Sequence, residues 1–244
     1  MQRLAYDQMN NNESIHWWFV GRRSILKNVL DNYYQDSRKN VLEVGCGSGG
    51  NLHMLKAYGE ISAMELDDES RAVANSRNIC NVMKGKLPND IPFDSAFDLV
   101  CMLDVLEHID DDVAALQAIK KYLNINGELF ITVPAYKFMW GRQDEASGHK
   151  RRYTKQLLTD VISEAGLSVK YVTYFNTFLF PAIATARILN KITGNKSGSD
   201  ISLPSKPVNN ILRCIFSSEN WFLPGIKFPF GVSILLIAEQ KEDI

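Results

Sequence analysis

A short apolar run followed by a cluster of glycines constrains this chain more than any other stretch. It is Val41–Asn51, with the sequence VLEVGCGSGGN. A buried strand that leads directly into a glycine turn is typical of α/β proteins, in which the turn brings backbone N–H groups close to a ligand. The stretch therefore predicts a nucleotide-like ligand beside Gly45, Gly47 and Gly49, and the rest of the sequence must identify that ligand.

Strand-like and helix-like segments alternate after this turn. The apolar strands are expected at Asn40–Val44, Ile61–Leu66, Ile79–Lys84, Phe97–Leu103 and Glu128–Val133. Alternation in units of this length predicts right-handed βαβ crossovers and an α/β fold with a doubly wound, Rossmann-like sheet. The ligand of such a sheet lies beyond the carboxyl ends of the strands. The segments 85–88, 103–108 and 134–153 are therefore expected to share one cleft with the glycine turn.

The remaining segments are expected to cover or complete this sheet. Residues 1–38 predict an N-terminal helical lid, 39–177 the cofactor-binding core, 178–230 an apolar insertion that shapes the acceptor site, and 231–244 the last strand and a tail. Because 244 residues with 45% hydrophobic content suit one core, we expect a single domain over 1–244.

Local signals predict several boundaries. A helix is expected over Ser24–Tyr34, and a turn is expected at Asn126-Gly127. Thr154 is expected to cap a helix over Lys155–Ala165. The last strand is expected over Gly231–Glu239.

The overall charge is close to neutral, with 27 Lys+Arg against 28 Asp+Glu. Because binding to long nucleic acids needs clustered positive charge, we expect no nucleic-acid partner. No run of about 20 apolar residues predicts a transmembrane segment, although the apolar insertion is compatible with peripheral membrane contact. The polar N-terminus does not resemble a signal peptide, so a cytoplasmic location is expected.

The four cysteines are widely spaced and predict buried free thiols in a reducing compartment. They are Cys46, Cys80, Cys101 and Cys214. No set of His and Cys residues has the spacing of metal ligands, so the sequence predicts no metal site. The oligomeric state is left open.

Glu43 narrows the choice of ligand. On glycines alone the turn also matches a dinucleotide site, because Gly45, Gly47 and Gly50 satisfy GxGxxG. A carboxylate two residues before the first glycine would repel a pyrophosphate. S-adenosylmethionine has no phosphate, and an acid favours its positive sulfonium and ammonium groups. We therefore expect this cofactor, and an NAD-type oxidoreductase is the disfavoured alternative.

The chain resembles class I S-adenosylmethionine-dependent methyltransferases in the order and spacing of five motifs. They are VLEVGCGSG, ISAMELD, KGKLPNDIPF, FDLVCMLDVLEHI and NGELFITVPA. The resemblance covers about residues 40–170 and implies a seven-stranded, mainly parallel sheet whose last strand is antiparallel. It also implies that Glu43, the Gly45–Gly49 backbone with Cys46, and Asp104 lie near the methionine part of the cofactor.

The same resemblance implies the residues around the nucleoside. Glu65 would accept hydrogen bonds from the ribose hydroxyls, and Leu66 would cover one adenine face. The backbone of Lys86 and Leu87 would approach the adenine edge. Many relatives carry an acid where this chain has Lys86.

Two further segments resemble a subset of the type 11/12 small-molecule methyltransferases. They are HWWFVGRR near the N-terminus and WGRQDEASGHKRRYT after the fifth strand. By position, Arg22 matches an arginine that pairs with the cofactor carboxylate in ubiquinone-pathway O-methyltransferases, and a guanidinium suits that role. Trp18 is expected beside the cofactor if the aromatic pair forms a flap. A hydrophobic plug under the N-terminal helix is the alternative.

Three residues are candidates for catalysis: His108, His149 and Tyr153. Methyl transfer needs alignment and exclusion of water, and it needs a base only when the acceptor arrives protonated. His108 either lines the site or starts a helix beside acids. His149 and Tyr153 lie in a cluster of charged and aromatic residues that either contacts substrate or forms a solvated loop.

These interpretations predict an enzyme that transfers a methyl group from S-adenosylmethionine to a small-molecule or lipid-linked acceptor, with oxygen as the expected target atom. The alternative is a methyltransferase-like module that binds the cofactor in a regulatory role. The motifs do not match a phosphate-binding loop with its lysine, and no Asn-Pro-Pro-Tyr follows the fourth strand, where base-modifying methyltransferases place it.

Overall fold

Seven strands form one sheet in the computed structural model, which describes residues 10–34, 39–193 and 202–240. The strands are β1 (Lys39–Val44), β2 (Gly59–Glu65), β3 (Val82–Lys84), β4 (Phe97–Leu103), β5 (Leu123–Pro134), β6 (Leu167–Phe175) and β7 (Ser233–Gln240). Their spatial order is β3-β2-β1-β4-β5-β7-β6. The pairs among β1 to β5 are parallel, and β7 is antiparallel to both of its neighbours. This arrangement confirms the predicted fold class.

Helices connect and flank the strands. They are α1 (Trp17–Tyr33), α2 (Leu52–Leu55), α3 (Asp68–Ser76), α4 (Asp112–Lys120), α5 (Arg142–Ser147), α6 (Lys155–Glu164), α7 (Phe180–Thr193) and α8 (Lys206–Ser217). Short 3-10 segments occur at Lys56–Tyr58, Leu106–His108, Lys137–Met139 and Ser218–Trp221. Thr154 caps α6 as predicted, because its hydroxyl accepts a hydrogen bond from the Leu157 N–H at 3.1 Å.

The central strands are buried on both faces, as their continuous apolar runs predict. Val41 pairs with Leu99 and Leu42 with Val100 across β1 and β4. All four side chains are fully buried. The apolar core therefore fixes β1 and β4 side by side, and the loops that follow them meet at one edge of the sheet.

The predicted turn at Asn126-Gly127 is wrong. Both residues lie inside β5, where the pairing with β4 shifts between Phe97–Leu123 and Leu99–Glu128. Four residues of β5 and one residue of β4 lie between these two pairs, so β5 gains three residues relative to β4. The local turn preference of Asn-Gly is therefore accommodated as an irregularity within a strand, because pairing continues on either side.

The N-terminal helix begins at Trp17, seven residues before the predicted start. His16 acts as its cap, since its Nδ1 accepts a hydrogen bond from the Trp18 N–H at 3.2 Å. The helix packs against α8, where Asn209 accepts a hydrogen bond from the Trp17 N–H at 2.8 Å. The insertion is therefore docked on the predicted lid, a contact that local sequence patterns do not reveal. Residues 1–9 and 35–38 of the predicted lid, and 241–244 of the predicted tail, lie outside the described residues.

Glu219 anchors the insertion to the end of β6. This fully buried carboxylate accepts hydrogen bonds from the backbone N–H groups of Asn176, Thr177 and Phe178 at 2.8, 2.5 and 2.9 Å. Burial raises the pKa of Glu219, and the three N–H donors oppose that shift. Glu219, in the segment after α8, thus holds residues 176–178 in place just beyond the end of β6.

No helix within the described ranges combines the length and apolar character needed to cross a membrane. The four cysteines are free, and Cys46 and Cys101 are buried as expected. Cys80 is partly buried and Cys214 is exposed, so the prediction of buried thiols is wrong for Cys214. Cys214 lies on α8, whose buried side chains are Asn209 and Phe216.

Candidate active site

A large cavity opens at the carboxyl ends of the parallel strands. Its volume is about 1130 Å³, whereas small-molecule pockets are typically about 300–1,000 Å³. The N-terminal segment, the loops after β1 to β5, α5 and α7 contribute its lining. The segments that the sequence predicted to share one cleft therefore meet, and the space suits a cofactor together with a second molecule.

The glycine turn forms one wall of the cavity. Gly45 has φ +65°, and a Cβ atom there would lie 2.9 Å from Val105. Gly47 has φ +55°, and no atom lies within 4 Å of a Cβ built on it, so its backbone faces open cavity space. Gly49 does not line the cavity, and a Cβ atom there would crowd Leu52. The third glycine thus permits close packing of the following helix rather than ligand contact.

Glu65 joins the glycine turn to the end of β2. Its two carboxylate oxygens accept hydrogen bonds from the N–H groups of Gly47 and Asp67, each at 2.8 Å. Each oxygen has further acceptor capacity, and the side chain lines the cavity. Leu66 follows it and is half exposed toward the same space. These are the positions at which the sequence predicted a ribose and an adenine face.

Glu43 lies behind the turn and does not line the cavity. One of its oxygens accepts a hydrogen bond from Asn51 Nδ2 at 2.9 Å, and the other has no hydrogen-bond partner among the described residues. Burial raises the pKa of Glu43 to about 7. The structure therefore does not place Glu43 at the cavity surface, where the resemblance implied a contact with the cofactor. Asn51 lines the cavity instead, and sequence reasoning missed it.

The loop after β3 supplies the cavity wall beyond Leu66. Lys86 and Leu87 both line it, as predicted. Lys86 and Asp90 exchange backbone hydrogen bonds of 2.7 and 2.8 Å, which hold this loop closed. Cys46 also lines the cavity, and burial raises the pKa of its thiol. That thiol stays protonated, in keeping with a small side chain inside the turn rather than a nucleophile.

Arg22 and Asp104 form an ion pair of 2.6 Å beside the turn. Arg22 also donates a hydrogen bond to the Thr132 hydroxyl at 2.9 Å, and its guanidinium lies 5.4 Å from the Trp18 ring centre. Arg22, Trp18 and Asp104 all line the cavity. The sequence placed these residues near the cofactor but did not pair Arg22 with Asp104.

The N-terminal segment crosses the glycine turn. The Glu13 carboxylate pairs with Arg77 and accepts a hydrogen bond from the Ser48 hydroxyl at 2.9 Å. Arg23 donates to the Glu13 backbone oxygen. Residues of this segment, including Trp17 and Trp18, line the cavity. The flap interpretation of the aromatic pair is therefore consistent with the structure, and Glu13 was not foreseen because nothing in its local sequence distinguishes it.

His149 is held by a buried carboxylate. Its Nδ1 lies 2.9 Å from Asp144 Oδ1, and Arg152 donates hydrogen bonds to both Asp144 oxygens at 2.7 and 3.1 Å. Burial opposes ionisation of Asp144, but the hydrogen bonds from His149 and Arg152 outweigh it and lower its pKa to about 2. His149 and Arg152 line the cavity, so part of the predicted charged cluster faces the site rather than solvent.

His108 and Glu107 lie next to His149. The two imidazole rings are 4.7 Å apart between centres and nearly perpendicular. Burial lowers the pKa of His108 to about 4, and the neighbouring His149 adds to that effect. Glu107 is fully buried, and neither carboxylate oxygen has a hydrogen-bond partner among the described residues. Burial, with a further contribution from Asp104, raises the pKa of Glu107 well above its usual range.

The structure does not bring Tyr153, the third candidate for catalysis, to the cavity. Tyr153 is fully buried and does not line the cavity. Its hydroxyl donates a hydrogen bond to Asp112 at 2.8 Å. The side chain therefore ties the segment after α5 to the start of α4. The sequence placed Tyr153 in the right loop but could not show which way the ring points.

Three residues at strand ends have a positive backbone φ, which residues other than glycine rarely adopt. Asp104, Tyr136 and Asn176 have φ values of +60°, +58° and +57° and follow β4, β5 and β6. Strained backbone of this kind concentrates at functional sites. Asn176 is fully buried at the cavity, and its amide atoms have no hydrogen-bond partner among the described residues. Sequence reasoning missed Asn176, although an Asn directly after a strand is a usable signal.

The strand order, the glycine turn and the cavity beside it define a class I S-adenosylmethionine-dependent methyltransferase. A family model described as a methyltransferase domain matches residues 19–172, which is more than half of the chain. The chain therefore belongs to the methyltransferase domain family. That family implies S-adenosylmethionine as the cofactor, and the open space at Gly47 and the free acceptor capacity of Glu65 fit it.

Individual relatives agree with this family. An uncharacterized methyltransferase of Staphylococcus carnosus is 28% identical over 60% of this chain and 69% of its own length. The mitochondrial ubiquinone biosynthesis O-methyltransferase of Candida albicans is 31% identical over 42% of this chain and 34% of its own. The methyltransferase in complex with the Trm112 activator of Haloferax volcanii has a TM-score of 0.62 at 15% identity, covering 99% of this chain and 96% of its own. The last similarity concerns the fold alone.

Proposed function

We propose that this enzyme methylates a hydroxyl oxygen of a small or lipid-linked acceptor that carries an apolar part. The observation that carries the proposal is the cavity, which joins the glycine turn to the cluster of Glu107, His108 and His149. Bound S-adenosylmethionine would supply an activated methyl group, which passes to the acceptor oxygen as the carbon–sulfur bond breaks and S-adenosylhomocysteine is left.

The cofactor end of the cavity is assigned to the residues around the turn. Glu65 would accept hydrogen bonds from the ribose hydroxyls, and Leu66 would cover the adenine, with Lys86 and Leu87 at its edge. Gly45, Cys46 and Gly47 would face the methionine part. Arg22 and Asp104, already paired, would bind its carboxylate and ammonium groups respectively, because each bears the opposite charge.

The acceptor end is assigned to the histidine cluster. An acceptor hydroxyl must lose its proton as the oxygen attacks the methyl carbon, so polar groups that can bind that oxygen are required there. His108 and His149 line the cavity. Burial lowers the pKa of His108, so its neutral ring can accept a proton or act as a ligand. Oxygen as the target is also supported by the similarity to an enzyme named as an O-methyltransferase.

The surface of the insertion supports a lipid-linked acceptor. Trp221, Ile192 and Ile211 are 86%, 75% and 59% exposed. The exposed charged side chains in its described part, Lys191, Lys206, Arg213 and Lys227, are all positive. Exposed apolar side chains together with exposed cations suit the surface of an anionic bilayer. We therefore propose that this surface rests on such a membrane while the cavity receives the head of the acceptor.

Two measurements test the proposal. Calorimetry should detect binding of S-adenosylhomocysteine and none of NAD, and absence of S-adenosylhomocysteine binding would overturn the assigned cofactor site. Transfer of a labelled methyl group should then be compared between a phenol carrying a short isoprenoid chain and the same phenol without it. We expect the prenylated compound to be the better substrate.

Single-residue variants distinguish the acceptor end of the cavity from the cofactor end. His149→Ala should retain affinity for S-adenosylhomocysteine and lose turnover. His53→Ala is the matched control, because His53 is exposed on α2 away from the cavity lining. Cofactor binding without transfer to any acceptor would instead favour the regulatory module.

A further inference from the structure

We propose that Glu107, His108 and His149 bind one divalent transition-metal ion in the cavity. The three side chains each offer a ligand atom, and these atoms lie within 4.8 Å of one another. Glu107 and His108 belong to the 3-10 segment after β4, whereas His149 follows α5. The two segments are more than 40 positions apart in the sequence, which is why a search for closely spaced ligands predicted no site.

The unpartnered carboxylate of Glu107 is the first argument. Glu107 is 0% exposed, and neither oxygen has a hydrogen-bond partner among the described residues. A buried carboxylate without a partner is costly. The two nearby guanidinium groups pair with other carboxylates, since Arg22 pairs with Asp104 at 2.6 Å and Arg152 with Asp144 at 2.7 Å, and neither donates a hydrogen bond to Glu107. A bound cation would supply the missing partner.

The orientation of His149 is the second argument. Asp144 accepts hydrogen bonds from Arg152 and from the Gly141 N–H, so it is an ionised acceptor and requires the proton of His149 on Nδ1. Nε2, the ring nitrogen that does not face Asp144, lies 3.9 Å from Glu107 Oε1, which is beyond hydrogen-bond distance. A carboxylate that orients a metal-binding histidine through its other nitrogen is a recurrent arrangement.

The donor set indicates the class of metal. Two imidazoles and one carboxylate favour zinc or another first-row transition metal over magnesium or calcium, which prefer oxygen ligands. Three protein ligands leave a coordination position toward the cavity, as in catalytic rather than structural zinc sites. If the proposed function holds, that position takes the acceptor oxygen, and the metal makes its hydroxyl easier to deprotonate. This role rests on the proposed function, whereas metal binding itself does not.

The experiment measures metal binding by the full chain without any cofactor or acceptor. The protein is stripped with a chelator and titrated with ZnCl₂ in a calorimeter, and bound zinc is then counted by elemental analysis. We expect one zinc per chain. Glu107→Gln and His149→Ala should each weaken binding at least tenfold, and Asp144→Asn by about 10- to 100-fold. The matched control His53→Ala should bind like the parent protein.

Several outcomes would overturn the site. Substoichiometric zinc in the parent protein would do so, as would unchanged affinity in both Glu107→Gln and His149→Ala. If the variants do not fold, the visible absorption spectrum of the parent protein loaded with Co²⁺ tests the site instead. Visible absorption of a four- or five-coordinate ion supports the site, and the spectrum of hydrated Co²⁺ rejects it. Titration of the same samples with S-adenosylhomocysteine tests the proposed function separately, because either ligand can bind without the other.

Discussion

At the scale of single residues, Glu65 performs two tasks with one carboxylate. It accepts backbone hydrogen bonds that hold the glycine turn, and it lines the cavity where a ribose is proposed to lie. Glu65→Ala should weaken binding of S-adenosylhomocysteine by about 1–3 kcal/mol, since hydrogen bonds to a charged group are lost. Calorimetry measures this change. Glu60→Ala, an exposed position on the same strand, should not alter affinity, and equal loss in both variants would contradict the assignment.

Glu43 should make stability depend on pH. Burial raises its pKa to about 7, whereas the ordinary pKa of a glutamate carboxyl is 4.5. Because the folded pKa is raised, the stabilisation is fully present below pH 4.5 and is lost as the pH rises through about 7. A shift of this size corresponds to about 3 kcal/mol.

The neutral variant Glu43→Gln should escape this loss. We expect the free energy of unfolding of the parent protein to fall relative to Glu43→Gln between pH 5 and 8, as measured by urea unfolding. Parallel pH profiles for the two proteins would show that Glu43 ionises without penalty in the folded state.

At the scale of secondary-structure elements, Glu219 links the insertion to β6. Its buried carboxylate accepts hydrogen bonds from three backbone N–H groups. Glu219→Gln replaces one acceptor oxygen by a donor, so at least one N–H loses its partner. We expect the free energy of unfolding to fall by about 1–3 kcal/mol. Glu164→Gln, at an exposed position of α6, is the matched control and should unfold like the parent protein.

The elements themselves were predictable where burial and periodicity agree. β4 has the predicted bounds, because its apolar run is buried on both faces and is followed by a polar loop. The Asn126-Gly127 turn failed because pairing with β4 overrides a local preference. α1 begins earlier than predicted because His16 caps it and α8 covers its first turn, and that tertiary contact leaves no local signal.

In the candidate site, too, features set by local motifs were predictable and features set by tertiary packing were not. The glycine turn, Glu65 and His149 were predictable, since motif and strand order place them at one edge of the sheet. The position of Tyr153 outside the cavity lining was not predictable, because loop membership does not fix the direction of a side chain. Glu107 was not singled out from the sequence, because its burial arises where two distant segments meet: the Lys150 N–H, after α5, donates a hydrogen bond to the Glu107 backbone oxygen at 2.7 Å.

At the scale of the whole molecule, the surface of the insertion should bind anionic membranes. Val208, Ile211 and Ile215 are exposed and share one face of α8 by helical spacing, with Lys206 close by. Sedimentation with vesicles should show binding to phosphatidylserine-containing membranes that weakens with salt and is lost with phosphatidylcholine alone.

A charge reversal tests which surface is responsible. Lys206→Glu should weaken vesicle binding by about 1 kcal/mol or more, because each cation near an anionic surface contributes about that much. Lys121→Glu makes the same change at an exposed position outside the insertion and should have little effect. Equal effects of the two variants would mean that overall charge, rather than this surface, governs binding.

Glu13 has a consequence for how often the enzyme can turn over. Its links to Arg77 and Ser48 close the N-terminal segment over the turn that the spent cofactor must leave. We expect release of the spent cofactor to require this segment to open, and gating of this kind often limits turnover. Since the Glu13–Arg77 link is ionic and partly exposed, added salt should speed release of S-adenosylhomocysteine in stopped-flow measurements. The Glu13→Gln variant should release S-adenosylhomocysteine rapidly even at low salt. The rate-limiting step would then be opening of the N-terminal segment over the cavity rather than transfer of the methyl group.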